Sequence, residues 1–332
     1  MTLVAEMANR INVSDFSLAA TLECGQAFRW QRLADGWFEG VVGHQIWRLR
    51  QVGNRLEWNC SHETLSRPHS AITSAIPSPS MGEGQGEGGS PSTIDHPPSS
   101  ISSSPINHPP STISIERYLA LDVSLPKIFA TFPDDPMLHQ AARKHRGLRV
   151  IRQEPWECLA SFIASSTKQI VQIRQIVGLL AQRFGEPIDA EHHAFPTVSA
   201  IARVSHQQLW DCKLGFRAKN LLAAARMIDG GRLDLNALRA MDYDRALEEL
   251  TQLPGVGEKI ANCVLLFACG FDHAFPIDVW IERALRRIYF PGKKRITARE
   301  LRQFTRSHFG PYAGWAQQYL FFNERSQKRR QL

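Results

Sequence analysis

The chain has 332 residues, 43% of them hydrophobic, enough for a sizeable buried core in one large domain or two to three smaller ones. Lys and Arg outnumber Asp and Glu by 39 to 32, and the excess is C-terminal: residues 1–140 carry 9 basic against 14 acidic side chains, residues 141–332 carry 30 against 18. That balance suits an anionic partner, while the six cysteines lack any C-x-x-C or His-rich spacing, which argues against a zinc or iron–sulfur site, and no apolar run reaches the roughly 20 residues that cross a bilayer.

The first residues show no basic stretch followed by an apolar one, so a cytoplasmic protein with free thiols, no metal and no cofactor is expected. From residue 28 the pattern predicts four short strands, 28–33, 37–42, 46–52 and 55–59, broken by Asp35-Gly36, Gly43-His44 and Gly53-Asn54. Over 64–114 the composition falls to Ser, Pro, Gly and isolated Ile, and Ile94-Asp-His-Pro-Pro-Ser-Ser-Ile-Ser nearly repeats from Ile106. Such a stretch buries too little apolar surface to offset its ordering entropy, and a disordered insertion without chemistry is expected.

Beyond Tyr118 the periodicity is helical with Arg-rich polar faces. Helices are predicted over 155–164 and 170–184, split by Ser165-Ser166-Thr167-Lys168-Gln169, and over 217–227, 244–252, 258–269, 279–289, 298–309 and 314–323. The expected fold is α+β: an N-terminal antiparallel β-sheet domain (1–63 and 115–135) packed on a mostly α-helical domain (136–324), with a basic tail over 325–332.

Two segments carry the chemistry. Leu253-Pro254-Gly255-Val256-Gly257 joins an amphipathic helix to an apolar one, and Gly255, Val256 and Gly257 there can present backbone N–H groups to a phosphate at a helix N-terminus. An ordinary tight helix–helix connection has the same composition. Lys259 follows in the first helical turn, where the helix dipole and the apolar neighbours Val264 to Phe267 both disfavour an ammonium. A nucleophilic amine and a solvated or phosphate-contacting lysine are both compatible with that position. In Phe275-Pro276-Ile277-Asp278-Val279-Trp280, Asp278 reads as the N-cap of the next helix, either purely structural or able to stabilise an oxocarbenium-like transition state.

Taken together, the run at 253–259 and the run at 275–280 resemble the helix-hairpin-helix plus Gly/Pro-Asp signature of a DNA glycosylase superfamily, and within it the 8-oxoguanine DNA glycosylase/AP lyase family. Glu23-Cys24-Gly25-Gln26-Ala27-Phe28-Arg29-Trp30, Glu157-Cys158-Leu159-Ala160-Ser161-Phe162-Ile163 and Gly310-Pro311-Tyr312-Ala313-Gly314-Trp315-Ala316-Gln317 resemble the same family. The resemblance implies excision of 8-oxoguanine from duplex DNA, with the damaged base flipped into a pocket. Lys259 would attack the deoxyribose C1′, form a Schiff base and permit β-elimination, assisted by Asp278. The carbonyl of Gly25 would accept from the N7–H that only the oxidised purine carries; Cys263 and Phe321 would sandwich the base and Gln317 read its Watson–Crick edge. Arg217 would contact the unpaired partner base, with Phe216 as a wedge, and Thr167 and Lys168 would lie along the DNA.

The chain departs from the family in three places. Thr167-Lys168-Gln169 stands where relatives often have three asparagines, Gln172 where they often have a second partner-base arginine, and Trp280 where a histidine is common. Partner-base discrimination is therefore expected to differ more than lesion choice. The rival readings are a superfamily glycosylase for another base and a non-catalytic helix-hairpin-helix DNA-binding module. No cysteine follows Cys269 to form the four-cysteine cluster of many pyrimidine-lesion and adenine-mismatch relatives, and Lys259 sets the chain apart from monofunctional alkyl-base enzymes. A monomer acting on damaged double-stranded DNA, with no membrane and no obligate protein partner, completes the expectation.

Overall fold

The computed structural model describes residues 8–61, 114–293 and 295–329; the expected insertion lies outside the described residues except for Ser114. Strands β1 (Asn9–Asn12), β2 (Trp30–Arg32), β3 (Phe38–Val42), β4 (Gln45–Val52) and β5 (Arg55–Ser61) form one antiparallel sheet in the order β1-β5-β4-β3-β2. Its register is fixed by tight turns, with Val42 opposite Gln45 across Gly43-His44 and Val52 opposite Arg55 across Gly53-Asn54. Strand alternation turns Phe38, Trp47, Leu49 and Leu56 into a core shared with Leu18, Leu22 and Trp30. Glu57 stands between Arg10 and Arg50 in that register and pairs with both, at 3.5 and 2.7 Å.

Two details of the sheet differ from the expectation. Asn9–Asn12 is too polar to signal a strand, and it is held as an edge through its ladder to β5. The strand expected over 28–33 shrinks to Trp30–Arg32 because Phe28 leaves the sheet for the helical core, its ring 5.5 Å from that of Phe162 in a T-shaped contact.

Helix α1 (Leu18–Glu23) starts at Ser17, whose hydroxyl accepts from the Ala20 N–H. After the insertion come α2 (Ile115–Tyr118), α3 (Leu125–Phe129) and α4 (Pro136–Lys144). Ile115, Tyr118 and Leu119 close the sheet's core, whereas Leu125, Ile128 and Phe132 pack with the helices. The helical body continues with α5 (Pro155–Ser165), α6 (Ile170–Phe184), α7 (Val198–Arg203), α8 (His206–Leu209), α9 (Arg217–Asp229) and α10 (Tyr243–Thr251). It ends with α11 (Glu258–Val264), α12 (Val279–Tyr289), α13 (Ala298–His308) and α14 (Ala313–Arg329).

Helix α5 is apolar almost all round, with Cys158 through Ala164 buried, as suits a central helix packed on both α6 and α11. The helix expected over 258–269 is α-helical only to Val264; it widens into a π turn, Leu265–Cys269, and stops at Gly270 with φ +84°. Helix α14 runs on to Arg329, past the expected end at 323. No helix among the described residues is long and apolar enough to cross a membrane.

Candidate active site

The hairpin between α10 and α11 is anchored by Leu253 and Val256, both buried. Gly255 has φ +78°, and a Cβ there would meet the Asn220 side chain at 2.6 Å, so both the conformation and the close approach require glycine. Gly257 caps α11, and among the described residues neither its N–H nor that of Gly255 has a partner. Val256 differs from the expectation: its N–H donates to the Leu253 carbonyl at 3.0 Å to close the turn, and its side chain is part of the core. The free donors at the start of α11 are thus those of the two glycines and the first helical turn.

Helix α11 carries Lys259 and Cys263 four residues apart, on one face. Lys259 is half-buried; its Nζ donates to Ser165 Oγ at 3.5 Å and lies 4.9 Å from the centre of the Phe162 ring. Burial pushes the Cys263 thiol up to about 11 against the pull of the nearby Lys259 ammonium, which keeps it a neutral, apolar wall. The chain returns through Ala274 and Phe275, both buried, to Asp278, which caps α12 by accepting from the Ile281 N–H at 2.8 Å. Burial raises the Asp278 carboxyl above its ordinary 3.8, opposed by the Ile281 N–H and by Lys259. Asn262 locks this return to α11, its Oδ1 accepting from the Phe275 N–H at 3.2 Å and from the Tyr243 hydroxyl at 2.7 Å.

These side chains open onto a cavity of about 470 Å³ lined by Gly25, Lys259, Cys263, Asp278, Gln317 and Phe321 together with Lys168. That volume falls within the roughly 300–1,000 Å³ of small-molecule pockets. Gln317 and Phe321 reach it from one face of α14, and Gly25 from the turn between α1 and β2. Gln317 is only 4% exposed, yet its Oε1 has no hydrogen-bond partner, a costly state for a buried acceptor unless something enters the cavity to satisfy it. Gly25 has φ +95°, and a Cβ there would lie 2.8 Å from Ile170 Cδ1 and 3.1 Å from an Arg325 nitrogen. The Gly25 carbonyl takes no hydrogen bond from the described residues.

Sequence reasoning missed the aromatic floor formed by Phe28, Phe162 and Phe267, and also Ser165, Gln318 and Arg325. Phe162 was inside a segment already singled out, but an apolar residue in an apolar helix carries no sign of lining a cavity. Trp280 also lines it.

The other expected DNA-facing residues lie elsewhere. Arg217 is 3% exposed and turned inward, donating to the carbonyls of Leu214 and Ser166 and to the Thr167 hydroxyl, with its guanidinium 4.2 Å from the centre of the Phe216 ring. It props the 166–167 turn, where Thr167 has φ +57°. Phe216 is 62% exposed on the outer side of that stack. Gln172 closes a capping box with Gln169 at the start of α6.

Residues 160–309 match the model for HhH-GPD superfamily base excision DNA repair proteins, which sets the class. Residues 9–159 match the model for the 8-oxoguanine DNA glycosylase N-terminal domain. The chain is 28% identical over 330 residues to the N-glycosylase/DNA lyase OGG1 of Arabidopsis thaliana, covering 95% of this chain and 79% of that protein. It is 32% identical over 224 residues to a probable N-glycosylase/DNA lyase of Methanothermobacter thermautotrophicus, covering 59% of this chain and 70% of the relative. The apo crystal structure of Clostridium acetobutylicum 8-oxoguanine glycosylase/lyase superposes with a TM-score of 0.75 at 25% identity, over 96% of this chain and 98% of that one. The chain belongs to the 8-oxoguanine DNA glycosylase family of N-glycosylase/DNA lyases.

Proposed function

We propose that this protein removes 8-oxoguanine from duplex DNA and then cuts the strand at the abasic site, with Lys259 as nucleophile and Asp278 as its electrostatic partner. The observation that carries the reading is a single cavity in which Lys259 and Asp278 meet Gly25, Cys263, Gln317 and Phe321, contributed by segments far apart in the chain.

The Lys259 amine attacks C1′ of the flipped nucleotide as the bond to the base breaks, the base leaving with the electron pair and taking up the proton that Nζ sheds; the C1′–O4′ bond then opens to an imine, with O4′ keeping its electron pair and taking a proton, and loss of a C2′ proton expels the 3′ phosphate. Phe162 and Ser165 set the direction of the amine. The Asp278 carboxylate, held by the Ile281 N–H, stabilises positive charge developing on the sugar. Neutral Cys263 and Phe321 form the apolar walls for the base. The unpartnered Gln317 Oε1 accepts from its Watson–Crick edge, and the free Gly25 carbonyl accepts from the N7–H of the oxidised purine. Ordinary guanine presents a lone pair at N7, which that carbonyl repels.

The N–H groups of Gly255 and Gly257 hold a backbone phosphate, and exposed Phe216 serves as the wedge in the duplex, braced from behind by Arg217. Exposed Thr167 lies along the DNA backbone, Lys168 faces the nucleotide from the cavity lining, and the enzyme acts as a monomer on one duplex. The test is single-turnover cleavage of duplexes carrying 8-oxoguanine opposite each of the four bases, beside undamaged duplexes. Excision confined to the damaged strands is expected; equal activity on undamaged guanine, or none on any lesion duplex, would overturn the substrate assignment.

A further inference from the structure

Gly25 sits in a turn with no hydrogen-bond ladder of its own, yet a carbonyl that separates N7–H from bare N7 must be held to within about 0.5 Å. Its two neighbours are completely buried, and both are tied down. Gln26 donates through Nε2 to the carbonyls of Thr21 (2.8 Å) and Arg149 (2.7 Å) and accepts at Oε1 from the Ile151 N–H (3.0 Å). Its own backbone carbonyl accepts from Gln153 Nε2 at 2.8 Å. Cys24 Sγ accepts from Gln318 Nε2 at 3.1 Å, and Gln318 is the neighbour of Gln317 on α14.

The Gly25–Gln26 peptide is therefore clamped against residues 149–153, the extended segment that leads directly into α5 with its cavity residues Phe162 and Ser165. Gln153 carries the clamp further, its N–H donating to the Phe267 carbonyl at 2.7 Å on the π turn behind α11. A side chain needed only to fill this space would be leucine or methionine, because a buried amide is tolerated only when its polar atoms find partners. We propose that Gln26 is a positioning residue for lesion selection: its three side-chain hydrogen bonds fix the Gly25 carbonyl relative to the cavity wall. This rests on the reading of Gly25 as the N7–H acceptor.

Strand cleavage at a preformed abasic site needs Lys259 but no base reader, so the two activities separate the role from a merely structural one. In Gln26→Leu, single-turnover excision of 8-oxoguanine should fall by about tenfold or more, while cleavage of a duplex with a preformed abasic site stays within about twofold of the parent. Gln26→Met, which keeps the length of the side chain but has neither the amide donor nor the amide acceptor, should shift the same ratio in the same direction, and it carries the test if the leucine variant does not fold. Parallel losses on both substrates, or no loss on either, overturn the proposal. The parent on a duplex carrying 8-bromoguanine, which is substituted at C8 but has a bare N7, distinguishes the two readings. If 8-bromoguanine is excised at the 8-oxoguanine rate, the Gly25 assignment itself falls; if it is spared while Gln26→Leu still excises 8-oxoguanine at the parental rate, only the role of Gln26 falls.

Discussion

Replacing Gln317 with leucine should move stability and activity in opposite directions. Gln317 is 4% exposed on α14 and its Oε1 is unpartnered in the free protein. Leaving a buried acceptor unsatisfied costs about 1–3 kcal/mol, and a leucine of similar volume removes that penalty. For a domain of this size each kcal/mol corresponds to roughly 2–4 °C in Tm, so the free Gln317→Leu protein should melt a few degrees higher. The same substitution removes the acceptor for the base edge, and losing about 1–3 kcal/mol of contact that forms only with the flipped base should slow excision by about tenfold to a hundredfold. Thermal melts of the DNA-free protein and single-turnover excision of 8-oxoguanine measure the two effects. A lower Tm, or excision at the parental rate, would refute the idea that Gln317 is kept unsatisfied for the sake of the substrate.

Other perturbations have equally definite signs. Burial raises the Asp278 carboxyl above 3.8, so the ionised form is lost as pH falls through that raised value. The acid limb of the excision pH–rate profile should lie above 3.8 and flatten in Asp278→Asn, which should also lose about 10²–10³ in rate. Glu157 is half-buried, near Glu154 and 3.7 Å from the Arg29 guanidinium, and desolvation raises it to about 7, so its contribution to stability is present below its ordinary 4.5 and lost as pH rises to about 7. The Tm difference between Glu157→Gln and the parent should therefore shift in the variant's favour between pH 5 and pH 8; a constant difference would contradict this. Asp135 caps α4 and accepts from the Tyr289 hydroxyl at 2.5 Å and from His308 Nε2 at 3.2 Å. Burial opposes its charge, but the hydrogen bonds from Tyr289, Leu138, His308 and Met137 win and hold the carboxyl below 3.8. Asp135→Asn should cost about 1–3 kcal/mol in denaturant unfolding at neutral pH, with the deficit shrinking as pH falls below 3.8 through the depressed value.

The parts of this molecule that read directly from sequence are those with a short local period or a fixed spacing. Period-two alternation with glycine turns marks β3, β4 and β5, and the glycines of the hairpin mark the start of α11. The edge strand β1 was invisible because its four residues bury almost nothing and gain their place from β5 alone. The π turn at Leu265–Cys269 escaped notice for a related reason: a run of buried apolar residues looks the same at either helical pitch. At the site, the family resemblance carried by the motifs implies a shared pocket for Gly25, Cys263, Gln317 and Phe321 beside Lys259 and Asp278, and all six line one cavity. Arg217 shows the limit of that approach. Its position in the motif does not reveal that the guanidinium turns inward to hold Ser166 and Thr167, since that depends on a turn fifty residues away. Gln26 and Asn262 are likewise ordinary amides in the sequence and become clamps only when their hydrogen-bond partners are brought together by the fold.

The most direct test of Lys259 as nucleophile is borohydride trapping on a duplex with one 8-oxoguanine, comparing the parent with Lys259→Gln and following both the nicked strand and the protein–DNA adduct. The parent should nick the strand and give a covalent adduct whose cross-linked peptide contains Lys259, and the variant should do neither while still binding the duplex. An adduct of undiminished yield in Lys259→Gln, or strand cleavage by the parent with no trappable imine, would contradict the assignment.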